Sequence, residues 1–160
     1  MKEIPLVNLI EMLHFMLLSL WGGVVITEAV IELYPYKEKT LHDSAVTFHY
    51  YIDIIVEGPL LLGVLLTGSI LAWSIKLTAL HYIKITAGLT AITMNFICIV
   101  LVIKRKLLKD RGAGKDVLWR YSRYIITTAV IGIPAAMVAV YLGLTLGYQR
   151  MLHLINMAGM

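Results

Sequence analysis

Charged residues are scarce in this sequence. Asp, Glu, Lys and Arg make up 15% of its 160 residues, whereas hydrophobic residues make up 59%. A soluble globular domain carries about 25% charged residues, so this composition argues against a soluble protein. The one cysteine, Cys98, excludes a disulfide within the chain. The sequence also lacks internal repeats and a secretory signal-peptide pattern, and we therefore expect its first apolar segment to be retained.

The apolar residues are concentrated in four segments. Residues 58–75, 85–103 and 124–149 contain no Asp, Glu, Lys or Arg, and each is close to the roughly 20 residues that cross a bilayer core. The fourth segment is weaker, because its charge-free stretch covers only Phe15–Thr27, but apolar residues continue on both sides from about Ile4 to Leu33. We interpret it as a spanning helix with acidic residues on its inward face. Because unpaired strand backbone is costly in lipid, we predict an all-α fold, an integral membrane four-helix bundle formed by a single domain, 1–160.

The connections between the segments are too short for a soluble domain. We predict helices over approximately residues 5–33, 46–75, 79–105 and 121–148. The longest predicted connection is the loop Lys104–Ser122, and eight of the fourteen Lys and Arg residues fall between Lys104 and Arg123. The positive-inside rule places this loop in the cytoplasm and both termini outside the cell membrane. The basic residues thus indicate topology and contact with membrane lipids, not nucleic-acid binding.

Polar residues within three of the predicted helices recur on single faces. Steps of three and four residues bring side chains to the same face of a helix. Ionisable residues are costly inside a membrane and tend to face the bundle interior, so such stripes indicate functional sites. The stripes comprise Glu11, His14, Leu18, Trp21, Val25, Glu28 and Glu32; His49, Asp53, Glu57, Leu60, Val64 and Thr67; and His81, Lys84, Gly88, Ala91, Asn95 and Cys98.

One polar group is expected near the outer membrane face. Two imidazoles from facing helices can ligate a haem iron, so His14 and His81 are the predicted axial ligands of haem b. Lys84 is predicted to hold a haem propionate or a substrate carboxylate. One alternative is a copper or zinc site formed by His14, His81 and His153. Another is that these histidines only form hydrogen bonds to headgroups or backbone.

A second polar group is expected near the inner face. Its members are Glu28, Glu32, His49, Asp53 and Glu57. Such a group is suited to relaying protons or to coordinating a metal. The simplest interpretation is that two arginines at the start of the fourth helix, Arg120 and Arg123, neutralise these carboxylates in ion pairs. The alternative to a haem function is a non-enzymatic copper or zinc ion carrier that uses the carboxylates as its path.

Short motifs in this chain resemble those of a known family. Leu13-His14, followed after six residues by Trp21-Gly22-Gly23, is similar to the first helix of HemJ-type protoporphyrinogen oxidases and CopD-like membrane proteins. His81-Tyr82-Ile83-Lys84 opens a long apolar helix that ends in Lys104-Arg105-Lys106, which is similar to the third helix of that family. Glu57-Gly58-Pro59 lies where the family also tends to carry Gly and Pro.

The resemblance implies a four-helix haem b protein with His14 as an iron ligand and Lys84 as a functional residue with a catalytic role. It suggests a haem-dependent oxidoreductase that exchanges electrons with a lipid-soluble donor such as a quinol or a porphyrinogen. The family usually carries Arg in its first helix where this chain has Thr27-Glu28, so the resemblance does not fix a porphyrinogen as the substrate. The expected partners also include further copies of the chain, in a homo-oligomer.

Overall fold

The computed structural model describes residues 6–33 and 42–157, and all regular structure within them is helical. A π-helical turn, Asp53–Glu57, joins two of the helices into one continuous span. Four spans are therefore long and apolar enough to cross a membrane, and the predicted all-α four-helix fold is confirmed. The helices are α1 (Leu6–Leu33), α2 (His42–Ile52), α3 (Gly58–Trp73), α4 (Ala79–Asp110) and α5 (Lys115–Met157).

The predicted loop over residues 104–122 was wrong. Helix α4 continues to Asp110 and α5 begins at Lys115, so only residues 111–114 lack helical structure. Gly112 permits this tight connection because its φ of 76° is a conformation that favours glycine. The basic residues of the predicted loop mostly lie in the last turns of α4 and the first turns of α5. Within α4, the Lys106 ammonium forms an ion pair with the Asp110 carboxylate one turn later. The first predicted connection was also too long, since α2 already begins at His42.

The four spans pack as two closely associated pairs. Helix α4 packs along α5, and α1 packs along α3, whereas α3 and α4 touch at few points. Small residues permit these close contacts, as is usual between membrane helices. A Cβ on Gly63 of α3 would lie 3.0 Å from Cδ1 of Leu17, and a Cβ on Gly132 of α5 would lie 3.2 Å from Cβ of Met94.

The packed interior has an apolar centre between two regions that contain polar groups. Trp21, Leu61, Ala91 and Ile99 form the centre. Large apolar side chains remain exposed on the outer surface of the helices, including Trp73 at 93% exposure, as expected of a surface that faces lipid. Toward the N-terminal end of α1 the interior opens into a cavity, and toward its C-terminal end it contains a cluster of buried charged side chains.

Candidate functional site

A largely apolar cavity of about 260 Å³ lies between α1, α3, α4 and α5. The ionisable residues in its lining are His14, His81 and Lys84, so the structure brings together the three residues that were predicted to hold haem. His153 lies in α5, but its side chain is outside the part of the chain that the structure describes. The three-histidine metal site therefore stays a prediction.

The imidazole of His14 is held in one tautomer by Thr67. Nδ1 of His14 lies 2.7 Å from the Thr67 hydroxyl oxygen, and that hydroxyl donates its only hydrogen to the Gly63 carbonyl at 2.7 Å. With its hydrogen given to a backbone carbonyl, the hydroxyl oxygen accepts the Nδ1–H of His14. In the neutral ring the Nε2 lone pair is then free, which is the form in which histidine ligates metals.

His81 has the opposite arrangement because it caps the start of α4. The backbone N–H of Thr78 donates to Nδ1 of His81 at 3.2 Å, and the Thr78 hydroxyl lies 2.7 Å from the same nitrogen. The Thr78 side chain in turn accepts from the His81 backbone, which completes a capping box. Because Nδ1 accepts, the neutral ring carries its proton on Nε2. His81 therefore presents an N–H donor while the cap is intact.

Lys84 is the cation of the cavity. Its ammonium has neither a hydrogen-bond nor an ion-pair partner among residues 6–33 and 42–157. Its Cε and Nζ lie against α5, where a Cβ on Gly143 would approach them to 3.4 and 3.5 Å. Glu11, the acidic residue at this end of α1, is paired with Arg150 of α5. The Lys84 ammonium is thus available to an anionic group of a ligand.

The glycine that makes room for the His14 ring is Gly68, not Gly22 or Gly23. A Cβ on Gly68 would lie 3.1 Å from Cε1 of His14, whereas a Cβ on either Gly22 or Gly23 would meet nothing within 4 Å. Gly22 and Gly23 also do not line the cavity. The two glycines of the Trp21-Gly22-Gly23 motif therefore do not shape the cavity.

The cluster at the other end of the bundle contains the five predicted residues, and all of them are buried: Glu28, Glu32, His49, Asp53 and Glu57. Its cation, however, was predicted wrongly. Arg120 and Arg123 are exposed, whereas Arg105 of α4 is 1% exposed. Arg105 donates to Oε1 of Glu32 at 2.5 Å and to the Ser122 hydroxyl at 2.6 Å. The guanidinium therefore ties α1, α4 and α5 together.

His49 occupies the centre of this cluster. Its Nδ1 lies 2.9 Å from Oε2 of Glu32 and 3.2 Å from a nitrogen of Arg105. Nδ1 can donate to the first or accept from the second, but not both. Glu32 is held as a carboxylate by Arg105, and a carboxylate only accepts, so the shorter contact identifies Nδ1 as the donor. In the neutral ring, Nε2 of His49 then carries a lone pair and no proton.

That lone pair faces other acceptors. Nε2 of His49 lies 3.4 Å from Oδ1 of Asp53 and 4.0 Å from Oε2 of Glu28. Within the described part of the chain, Nε2 of His49, both oxygens of Asp53, Oε1 of Glu28 and Oε2 of Glu57 are buried without a hydrogen-bond partner. Two donor atoms in the same part of the chain, Nδ2 of Asn95 and Nε of Arg105, are likewise buried and unpaired. Buried polar atoms are ordinarily satisfied, and five acceptor atoms outnumber these two donor atoms, so the cluster has room for a proton or a cation.

Gly58 and Pro59 explain the π-helical turn that carries two of these carboxylates. Proline has no N–H with which to continue an α-helix, and the Gly58 N–H donates to the carbonyl of Asp53 five residues earlier. A Cβ on Gly58 would lie 3.2 Å from that carbonyl oxygen. Side chains four residues apart in an α-helix are offset by about 40° around the helix axis. The wider π turn reduces this offset. Glu57 is therefore kept in line with Asp53 and His49.

No protein-family model, curated protein or solved structure matches this chain. The geometry of the cavity and of the cluster is therefore the basis for assigning a function.

Proposed function

We propose that this chain is a membrane haem b protein that acts in electron transfer or oxidoreduction, with haem bound in the cavity. The observation that carries the proposal is the Nε2 lone pair of His14, which the Thr67 hydroxyl leaves free at an otherwise apolar cavity. A neutral imidazole held in this way is the usual protein ligand of haem iron. Bound haem supplies one-electron oxidation and reduction at its iron.

The other polar groups of the cavity suit the carboxylates of haem. The Lys84 ammonium is free to pair with a propionate, and the His81 Nε2–H can donate to one. Small residues, including Gly68 and Gly88, line the cavity. At about 260 Å³ the cavity is smaller than the roughly 300–1,000 Å³ of most ligand sites. Entry of the whole ring therefore requires that α3 and α4, which touch at few points, move apart.

The hydrogen bonds favour one axial ligand over two. His81 would have to give up the Thr78 N–H bond and change tautomer before its Nε2 could bind iron. His14 needs no such change. We therefore assign His14 as the iron ligand and His81 and Lys84 as groups that bind carboxylates, in place of the expected pair of axial imidazoles. A lipid-soluble donor, a quinol or a porphyrinogen, is the proposed electron source, in a cell membrane with both termini outside.

The test is the haem spectrum of the protein purified from cells that make haem. His14→Ala should abolish the reduced-minus-oxidised spectrum, and Thr67→Val should weaken haem binding by about 10–100-fold because the ring loses its orienting partner. His81→Ala should leave the iron coordination unchanged. His49→Ala, at the opposite end of the interior, is the matched control and should retain the full spectrum.

Three outcomes would count against this assignment. Absence of haem, or a spectrum that His14→Ala leaves unchanged, would remove the haem function and make the metal site of His14, His81 and His153 the leading hypothesis. A six-coordinate iron that becomes high-spin in His81→Ala would instead restore ligation by two imidazoles.

A further inference from the structure

The buried cluster at the C-terminal end of α1 has an excess of negative charge. Four carboxylates, from Glu28, Glu32, Asp53 and Glu57, are buried with one guanidinium, that of Arg105. Glu32 is the carboxylate that Arg105 neutralises. Within residues 6–33 and 42–157 the other three form no ion pair with a Lys or Arg side chain. Uncompensated charge is costly inside a membrane. Protons or a bound cation must therefore complete the cluster.

The distances within the cluster suit a metal ion. One ligand atom from each of Glu28, His49 and Asp53 lies within 4.8 Å of the others. The nitrogen and oxygen ligands of zinc lie about 2.0–2.2 Å from the ion, which in a tetrahedron separates neighbouring ligands by roughly 3.4 Å. Nε2 of His49 and Oδ1 of Asp53 are 3.4 Å apart, and Oε2 of Glu28 is 4.0 Å from the same nitrogen.

His49 provides an observation that is independent of the acidic residues. Its side chain is 2% exposed, and its Nε2 is buried without a hydrogen-bond partner in the described part of the chain. The donation of Nδ1–H to Glu32 leaves the Nε2 lone pair between two carboxylates. A carboxylate that holds the far nitrogen of a histidine is the usual support of a metal-bound imidazole. Glu32 is itself fixed by Arg105.

We infer that Glu28, His49 and Asp53 bind a divalent transition-metal ion of the zinc type inside the membrane, in a site separate from the haem cavity. The mixture of imidazole nitrogen and carboxylate oxygen favours zinc-like ions over calcium or magnesium, which prefer oxygen ligands alone. Three protein ligands leave a fourth coordination position for water or another ligand. Glu32 is a positioning residue, because it reaches the ion only through His49.

The experiment is a Co²⁺ titration of the haem-free, EDTA-treated full chain in detergent, followed by visible absorption. One Co²⁺ per chain should bind with the intense bands of a low-coordinate site, and Zn²⁺ should displace it. Asp53→Asn and His49→Ala should weaken binding by more than 100-fold. Glu32→Gln should weaken it by about 10–100-fold without removing the bands, as expected when only the support of the imidazole is lost.

Two matched controls locate the ion. Asp116→Asn removes an exposed acid of α5, and His14→Ala removes the imidazole of the cavity; both should bind Co²⁺ as the unmodified chain does. If His14→Ala abolishes binding, the metal lies in the cavity and the inference is wrong. It is equally wrong if the unmodified chain gives no saturable Co²⁺ spectrum, in which case protons neutralise the cluster. That last result needs no variant, so a folding defect in Asp53→Asn cannot obscure it.

Discussion

The indole nitrogen of Trp21 on α1 donates a hydrogen bond of 3.1 Å to Oε1 of Glu57 at the end of the π-helical turn. The Trp21 ring also forms part of the cavity wall. Trp21 therefore contacts both polar regions of the interior. Through its hydrogen bond to Glu57 it connects the cavity wall to the buried cluster. A ligand that moves the indole would change the hydrogen bonding of a buried carboxylate.

This connection predicts the effect of Trp21→Phe. The variant keeps an aromatic ring but leaves Oε1 of Glu57 without a donor, so we expect a loss of about 1–3 kcal/mol in the free energy of unfolding. Adding Glu57→Leu to Trp21→Phe should recover part of that loss. Chemical denaturation in detergent measures both. Trp73→Phe, at a 93% exposed position, should have no measurable effect; an equal loss there would mean that the hydrogen bond is unimportant.

Arg105 is predicted to be the arginine on which the buried cluster depends. Arg105→Leu leaves the Glu32 carboxylate buried without its cation, and breaking a pair of this kind costs about 3–5 kcal/mol. The double variant Arg105→Leu/Glu32→Leu should be more stable than Arg105→Leu alone. Thermal unfolding in detergent is the measurement.

Arg120→Leu is the matched control for Arg105→Leu, because Arg120 is exposed. It should unfold as the unmodified protein does. Destabilisation by Arg120→Leu that matches the effect of Arg105→Leu would restore the earlier prediction that the arginines at the start of the fourth helix neutralise the cluster.

Gly68 is predicted to control the position of the His14 ring. In Gly68→Ala the new methyl group would lie 3.1 Å from Cε1 of His14, so the ring has to move and its hydrogen bond to Thr67 is disturbed. Overpacking of this kind costs about 1–3 kcal/mol, and we expect weaker haem retention during purification. Gly22→Ala, which meets nothing within 4 Å, should retain haem fully. Equal retention by both variants would contradict this role for Gly68.

The orientation in the membrane can be tested at the connection between α4 and α5. Ala113→Cys, introduced together with Cys98→Ala, places the only thiol of the chain in this short link. The surrounding excess of Lys and Arg predicts a cytoplasmic position. A membrane-impermeant thiol reagent should therefore label this cysteine in broken cells but not in intact cells. Ready labelling of intact cells would place both termini inside.

The sequence pattern was sufficient to predict the spans and the inward-facing stripes. Trp21, Glu28, Asp53 and Glu57 are buried as their spacing indicated, because lipid forces polar groups toward the bundle interior. Arg105 was missed because it stands within a basic run that was interpreted as a loop. The signal was present, since the third stripe continues from Cys98 in steps of four and three to Val102 and Arg105, both of which are buried.

The roles of the two cavity histidines could not be predicted in the same way. Each residue contacts a threonine, but Thr67 accepts from His14, whereas the Thr78 backbone donates to His81. The difference arises because the Thr67 hydroxyl gives its hydrogen to the Gly63 carbonyl, whereas the Thr78 backbone N–H donates to His81. Both bonds depend on the local backbone. Thr67 is 53 residues from His14, and no spacing rule connects them. The role of Gly68 likewise could not be predicted, because it depends on how closely α1 approaches α3.

The π-helical turn gives the second span one residue more than a regular helix of the same length would hold. Each α-helical residue turns the chain by about 100°. The π turn absorbs this additional residue, whereas a regular α-helix over the same residues would rotate α2 by about that angle relative to α3. His49 and Asp53 would then point away from the interior while Thr67 kept its position beside His14. The phase between the two polar regions is thus set by the π turn, which keeps His49 and Thr67 on the inward side of one span.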